Sequence, residues 1–139
     1  MIEFHYKTDF ELEESVKYVD WIEKVLHSEA FVCGEIDYIF CSDEYLLELN
    51  QEYLNHDTLT DIITFDYTDT NRISGDIFIS VDRVMENSMA FEEAFENELK
   101  RVMAHGVLHL MGYKDKSIDD AKVMRQKEEE KIKLFHVEP

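Results

Sequence analysis

The sequence contains little glycine or proline and few basic side chains. Its four glycines and one proline among 139 residues form no Gly/Ser-rich or Pro-rich stretch that could link two domains. It also lacks a run of roughly 18 apolar residues, the length of a membrane helix, and a basic segment followed by an apolar run at its start. We therefore predict one domain spanning residues 1–139, located in the cytoplasm and without a membrane partner.

Cysteine is scarce as well. Cys33 and Cys41 are too few for a disulfide framework, and their separation lacks the spacing of a zinc knuckle. Both are therefore expected to be reduced residues in or near the core.

Basic side chains are outnumbered, with 14 Lys and Arg against 32 Asp and Glu and a net charge of −18. This balance opposes non-specific binding to polyanions. The acidic excess lies in residues 1–99, which hold 5 basic and 25 acidic side chains, whereas residues 100–139 hold 9 and 7. The C-terminal segment is thus the least acidic, although a solvated terminal helix of mixed charge would give the same balance.

The apolar pattern predicts an α+β fold. Apolar residues recur every three or four positions from about Leu12 to His27, Val16 among them, which indicates an amphipathic helix. Alternating β-branched and aromatic residues predict strands at 35–41, 62–67 and 75–81. Ser42 or Asp43 can cap a second helix that continues to Tyr53. With the N-terminal segment, we expect a small mixed sheet of about four strands packed with about four to five helices.

Helical spacing returns in the C-terminal part of the chain. Apolar positions from Phe91 to Met111 predict one long helix, which Gly112 should end because glycine readily adopts a left-handed conformation. Ser117 and Asp120 form a capping-box pattern, and we expect it to open a last helix that continues towards Phe135.

The predicted long helix contains the segment that indicates chemistry. His105 and His109 are four residues apart, so their imidazoles share one face and can bind the same ion. Gly112 can then turn the chain so that Asp115 returns over that face. This spacing matches the extended zinc-protease motif H-E-x-x-H-x-x-G-x-x-H, with aspartate as the third ligand. We predict that His105, His109 and Asp115 bind one zinc ion at the end of a central helix.

Two features of this motif bear on the reaction. Gly106 replaces the glutamate that zinc proteases use as general base, so peptide hydrolysis by their mechanism lacks its proton acceptor. Three protein ligands leave a tetrahedral position for water, as in catalytic zinc sites, and the same three residues are the predicted catalytic residues. Two imidazoles and a carboxylate also describe iron(II) sites, and nickel or manganese could bind, so the identity of the metal is open.

Residues 105–113, H-G-V-L-H-L-M-G-Y, closely resemble the signature of the YbeY family, bacterial endoribonucleases that act in ribosomal RNA maturation. Residues 60–66 resemble its T-N-V-L-S-F-P segment, residues 75–80 its G-D-I-x-I-S strand, and Glu98-Leu99 its lead into the histidine helix. The resemblance covers roughly residues 36–117. It implies an α+β fold with zinc in a cleft, hydrolysis of single-stranded RNA, and a role with the small ribosomal subunit.

The family's first two zinc ligands carry over to His105 and His109, whereas its third is usually histidine where this chain has Asp115. A functionally important arginine of the family falls on Leu54, so its proposed phosphate-binding role does not transfer. Basic residues that flank the motif are candidate replacements, namely Lys100, Arg101, Lys114 and Lys116. The candidate general bases are Asp115, His56 and Asp57.

Three further side chains have two interpretations each. Phe65 and Tyr67 could stack on bases or belong to the core of the sheet. Asp76 could orient a ligand histidine or serve only its own strand.

Three hypotheses about function follow. The first is a zinc-dependent endoribonuclease, specific for single-stranded RNA, that acts in ribosomal RNA processing and small-subunit maturation with a zinc-activated water as nucleophile. The second is a metallohydrolase of peptides or small molecules, against which Gly106 argues. The third is a non-enzymatic ribosome-assembly factor with a structural zinc, which the net charge of −18 and Leu54 keep open.

Overall fold

The computed structural model describes residues 1–54 and 60–136. In these ranges the strands are β1 (Ile2–Tyr6), β2 (Val32–Cys41), β3 (Ile62–Asp66) and β4 (Arg72–Ser80). The helices are α1 (Ser15–Ser28), α2 (Asp43–Leu54), α3 (Val81–Ala90), α4 (Phe95–Leu110) and α5 (Ile118–Lys133), and a 3₁₀ turn follows over Leu134–His136. The predicted α+β fold, with about four strands and four to five helices, is confirmed.

The strands form one mixed sheet in the order β1-β2-β4-β3. β1, β2 and β4 are parallel, and β3 runs antiparallel to β4. Tyr38 and Ile77 are partners on neighbouring strands and project to the same face, where both are buried in the main core with Trp21 of α1. The Tyr38 hydroxyl donates a hydrogen bond of 2.9 Å to the Met103 carbonyl, which fixes α4 across this face.

α4 packs tightly against the sheet at Gly106. A Cβ atom at this position would lie 2.8 Å from Ile77 Cγ2 and 3.0 Å from Ile62 Cδ1. The sheet therefore leaves no room for the glutamate that the zinc-protease motif carries here. This close packing explains why position 106 is a glycine. It also puts His105, the preceding residue, beside β3.

The opposite face of the sheet is only partly covered. α2 packs on it over a small cluster of Cys41, Leu46 and Ile63. Cys33 is half-buried, and both cysteines are free thiols, as predicted.

The first helix begins later than predicted. Glu14 adopts a left-handed φ of 53°, and α1 starts at Ser15, so Leu12 lies outside the helix. Val16 is 71% exposed, and its assignment to the buried face is wrong. The buried stripe of α1 consists of Tyr18, Trp21, Ile22, Val25 and Leu26.

The predicted long helix is also shorter, because the chain forms an unpredicted helix, α3, before it. The Ser80 side chain caps α3 by accepting a hydrogen bond from the Arg83 backbone N–H. α3 buries only Val84 and Ser88, but its apolar residues Val81, Val84, Met85 and Met89 recur at helical spacing, a pattern from which this helix could have been predicted. Phe91 was assigned to the long helix, but it follows α3 and is exposed. No helix in the described ranges is long and apolar enough to span a membrane.

Candidate active site

The C-terminal half of α4 presents two histidines on one face. The ring centroids of His105 and His109 lie 6.0 Å apart, one helical turn along the axis. α4 ends at Leu110, and Gly112 has a φ of +106°, which glycine adopts without strain. This turn brings Asp115 back over the helix, so that its Oδ2 lies 3.3 Å from His105 Nε2. The structure therefore brings the predicted ligands into one neighbourhood.

Both histidines use Nδ1 for a hydrogen bond inside the protein. His105 Nδ1 lies 2.7 Å from Glu128 Oε2, and His109 Nδ1 lies 2.8 Å from the Tyr113 carbonyl oxygen. A carbonyl can only accept, so His109 carries its proton on Nδ1 and leaves Nε2 with a free lone pair when neutral. Metal-binding histidines commonly have this arrangement, in which the ring nitrogen that does not bind the metal donates to a carboxylate or carbonyl. The donor set therefore fits a metal ion on the Nε2 side.

The three predicted ligands are close but do not all converge. The described residues contain another group, Glu3, His5 and Asp37, whose ligand atoms all lie within 4.8 Å of one another and could hold a metal ion. The side chains of His105, His109 and Asp115 do not meet that criterion. Glu3, His5 and Asp37 do not line the cleft, and a hydrogen bond of 2.8 Å between His5 Nε2 and Asp37 Oδ1 already joins two of them.

A cleft of about 800 Å³ opens over this end of α4. His105, His109 and Asp115 line it together with Asp61 before β3 and Glu128 of α5. Of the predicted phosphate-binding residues, Arg101 and Lys116 line the cleft, and α5 adds Arg125. Lys100 and Lys114 do not line it, and the Lys100 ammonium instead lies 4.0 Å from the centroid of the Phe135 ring.

Arg101 is held by carboxylates. Its Nη2 lies 2.6 Å from Glu129, its Nε 3.6 Å from Glu98 and its Nη1 3.7 Å from Glu128. The side chain is buried and sits one helical turn before His105. Arg101 therefore serves mainly to neutralise the acidic groups behind His105. Lys116 and Arg125 form no ion pair within 4.0 Å with any described residue, although the charge of Arg125 acts on Glu98 across the cleft.

The ionisable side chains of the cleft shift one another's pKa values. Burial alone would lower the pKa of His105, but the hydrogen bond and charge of Glu128, together with Asp115 and Asp61, raise it overall. Burial raises the pKa of Asp61, and the nearby His105 partly opposes that change. Three carboxylates, those of Glu128, Asp115 and Asp61, thus act on one imidazole, an environment that favours a cation.

Other predicted residues lie elsewhere. Phe65 packs against Phe78 and Tyr53, in agreement with the core interpretation, whereas Tyr67 is exposed; neither lines the cleft, so the structure does not support base stacking by either residue at this site. Asp76 accepts a hydrogen bond of 3.4 Å from the Tyr67 hydroxyl and does not orient a ligand histidine. Glu128 instead contacts His105, one of the predicted ligands. His56 and Asp57 lie outside the described residues, and the backbone of Leu54 ends α2.

The sequence did contain a signal for Glu128. Met124, Glu128 and Lys131 are the buried residues of α5 and follow helical spacing. A carboxylate on the buried face of a helix needs a partner, since an unpaired buried charge is costly. The partner could not be identified from spacing alone because His105 precedes Glu128 by 23 residues on another helix.

Fold and cleft define the class, a small α+β protein with a mixed four-stranded sheet and two histidines on the helix beneath its cleft. The family model described as "Endoribonuclease YbeY" matches residues 2–136. The chain therefore belongs to the endoribonuclease YbeY family, which confirms the resemblance noted in the sequence.

Individual relatives agree with this assignment. The endoribonuclease YbeY of Flavobacterium johnsoniae is 61% identical over 138 residues, which cover 99% of each chain. That of Flavobacterium psychrophilum is 60% identical over 137 residues, covering 99% of this chain and 98% of the relative. The solution structure of TM1509 from Thermotoga maritima matches with a TM-score of 0.65 and 27% identity, covering 97% of this chain and 89% of that one.

Proposed function

We propose that this protein is a metal-dependent endoribonuclease that cleaves single-stranded RNA, with His105, His109 and Asp115 as the ligands of one zinc ion. The observation that supports the metal site is the pair of Nδ1 hydrogen bonds, from His105 to Glu128 and from His109 to Tyr113. These bonds occupy the Nδ1 atoms inside the protein and leave the Nε2 atoms free to bind a metal ion.

The side chains of the cleft divide into two roles. His105, His109 and Asp115 would hold the ion, which when bound would supply the Lewis acidity that activates water and polarises a phosphate oxygen. Lys116 and Arg125 are placed to bind the phosphates of the substrate. Gly106 leaves no space for a protease-type glutamate, so this site favours phosphodiester over peptide hydrolysis.

The natural substrate that we propose is ribosomal RNA, during maturation of the small ribosomal subunit in the cytoplasm. Support comes from the family, whose relatives are named endoribonuclease, and from the charge of the segment that builds the site. Residues 100–139 hold 9 basic against 7 acidic side chains, in contrast to the rest of the chain. This segment supplies Lys116 and Arg125.

Cleavage of matched single-stranded and duplex RNA, together with elemental analysis of the purified protein, tests the proposal. His105→Ala and His109→Ala should lose both bound metal and cleavage while keeping their circular dichroism spectra. His27→Ala is the matched control, because His27 is exposed on α1 outside the cleft. The proposal fails if the two ligand variants cleave RNA like the wild type, or if the protein cleaves RNA equally well after complete metal removal.

A further inference from the structure

Phe91 is an exposed aromatic residue at the lip of the cleft. Its side chain is 63% exposed, yet it lines the same cleft as His105, His109 and Asp115. Exposed large apolar side chains are common singly on protein surfaces. Phe91 differs from the neighbouring Met89, which is 70% exposed but does not line the cleft.

The backbone holds Phe91 in place, so its position does not depend on packing of the ring. Its N–H donates to the Asn87 carbonyl at 3.0 Å and closes the last turn of α3. The next residue, Glu92, has a left-handed φ of 55°, and the Glu93 N–H returns to the Ser88 carbonyl at 2.8 Å. An exposed ring on a fixed backbone can accept a planar ligand with little loss of backbone entropy.

The surroundings of the ring suit a nucleobase. Phe91 is the aromatic residue among the described residues that line the cleft. Asn87, one helical turn earlier, also lines it, and its amide offers both a donor and an acceptor. Lys116 and Arg125, which form no ion pair with a described residue, line the same cleft and suit phosphates. Together these groups offer a ring for a base face, an amide for a base edge and charges for the backbone.

We propose that Phe91 is a stacking platform for an unpaired base of the RNA, with Asn87 contacting the edge of that base. The proposal rests on the RNA substrate proposed above and extends it to a named base-binding subsite. A base inside a duplex has both faces covered by its neighbours and cannot stack on Phe91. The platform therefore gives a structural reason for preferring single-stranded RNA.

A tryptophan at this position provides a direct test. Trp21 is 1% exposed and its Nε1 donates to the Lys131 carbonyl, so RNA should not alter its emission. In metal-loaded Phe91→Trp protein, short single-stranded oligo(A) should quench the new exposed tryptophan on rapid mixing, before cleavage proceeds. A strand of equal length with abasic sugars should not quench it.

Binding and cleavage by alanine variants complete the test. Phe91→Ala should bind oligo(A) about 5- to 150-fold more weakly, the range expected for loss of one stacked base. Met89→Ala is the matched control and should bind like the wild type. Both variants should melt like the wild type, because both side chains are mostly exposed.

The outcomes separate this proposal from the one on which it rests. If the wild type cleaves RNA while Phe91→Ala binds it normally, the stacking platform is refuted and the endoribonuclease proposal stands. Equal weakening by Phe91→Ala and Met89→Ala, or equal quenching by the abasic strand, also refutes the platform. If the wild type neither binds nor cleaves RNA, the proposed function itself is wrong.

Discussion

Glu128 offers the sharpest test of the metal site, because it contacts a proposed ligand without being one. Glu128→Gln keeps the shape of the side chain and removes its charge. The side chain is 7% exposed, so solvent screens its 2.7 Å hydrogen bond to His105 Nδ1 very little. A glutamine can still accept a hydrogen bond through its oxygen, but it no longer increases the basicity of the imidazole.

Loss of such an outer carboxylate typically weakens metal binding by about 10- to 100-fold, or roughly 1.4 to 2.8 kcal/mol. We therefore expect Glu128→Gln to raise the dissociation constant for zinc by this factor. The assay is competition with a chromophoric chelator at neutral pH, on protein first stripped of metal. Cleavage measured under saturating zinc should recover most of its rate, because the substitution weakens metal binding without removing a ligand.

Glu129→Gln is the matched control for this experiment. Glu129 pairs with the same Arg101, at 2.6 Å, but it is half exposed and does not contact His105. If the effect of Glu128 acted only through the stability of α5 or the charge of Arg101, both variants would weaken zinc binding alike. Equal affinities of the two variants, or wild-type affinity of Glu128→Gln, would refute the argument for a metal at the Nε2 atoms.

Three further predictions follow from the packing and charges. Gly106→Ala should lower the free energy of unfolding by about 1–3 kcal/mol in urea denaturation, because the added Cβ collides with Ile77; wild-type stability would contradict the packing argument. Burial opposes ionisation of Glu29, but hydrogen bonds from Lys131, Tyr113 and Lys127 lower its pKa from 4.5 to about 2. The ionised Glu29 therefore stabilises the folded state above pH 4.5, and this stabilisation is lost as the pH falls towards 2. Glu29→Gln should therefore reduce the pH dependence of unfolding in that window, and an unchanged slope would contradict the prediction. Lys116→Ala and Arg125→Ala should each make the slope of log K against log salt for single-stranded RNA shallower by about 0.7, and an unchanged slope would exclude a phosphate contact by that residue.

Local sequence predicted the parts of the site that lie on one helix and its turn. His105, His109, Gly112 and Asp115 fall within eleven consecutive residues, and helix geometry fixes their relative directions. The capping of α5 by Ser117 was likewise readable, since the Asp120 N–H donates to its side chain at 3.0 Å. These features depend on neighbours along the chain, so their spacing carries the information.

The groups that surround the site depend on contacts between distant segments. Phe91 shows where prediction from helical spacing fails. Its spacing from Phe95 is helical, although the chain between them leaves the helix at Glu92. The strand position of Asp76 does not reveal which helix crosses that face of the sheet, so the sequence alone does not show that Glu128, and not Asp76, contacts the predicted ligand His105. A local turn at Glu92 decides the first case and tertiary packing decides the second, and hydrophobic periodicity encodes neither.

The net charge of −18 also has a different meaning once the fold is known. Screening at physiological salt confines exposed charges to about 8 Å, so a bound strand responds mainly to the side chains of the cleft. There, Asp61, Glu128 and Asp115 surround His105, while Arg101 neutralises part of the acidic cluster. A divalent cation at the histidines would offset more of this charge, and Lys116 and Arg125 would then act on phosphate against a smaller repulsion. Metal binding and RNA binding should therefore be coupled in this protein, because the carboxylates that attract the cation repel the strand when it is absent.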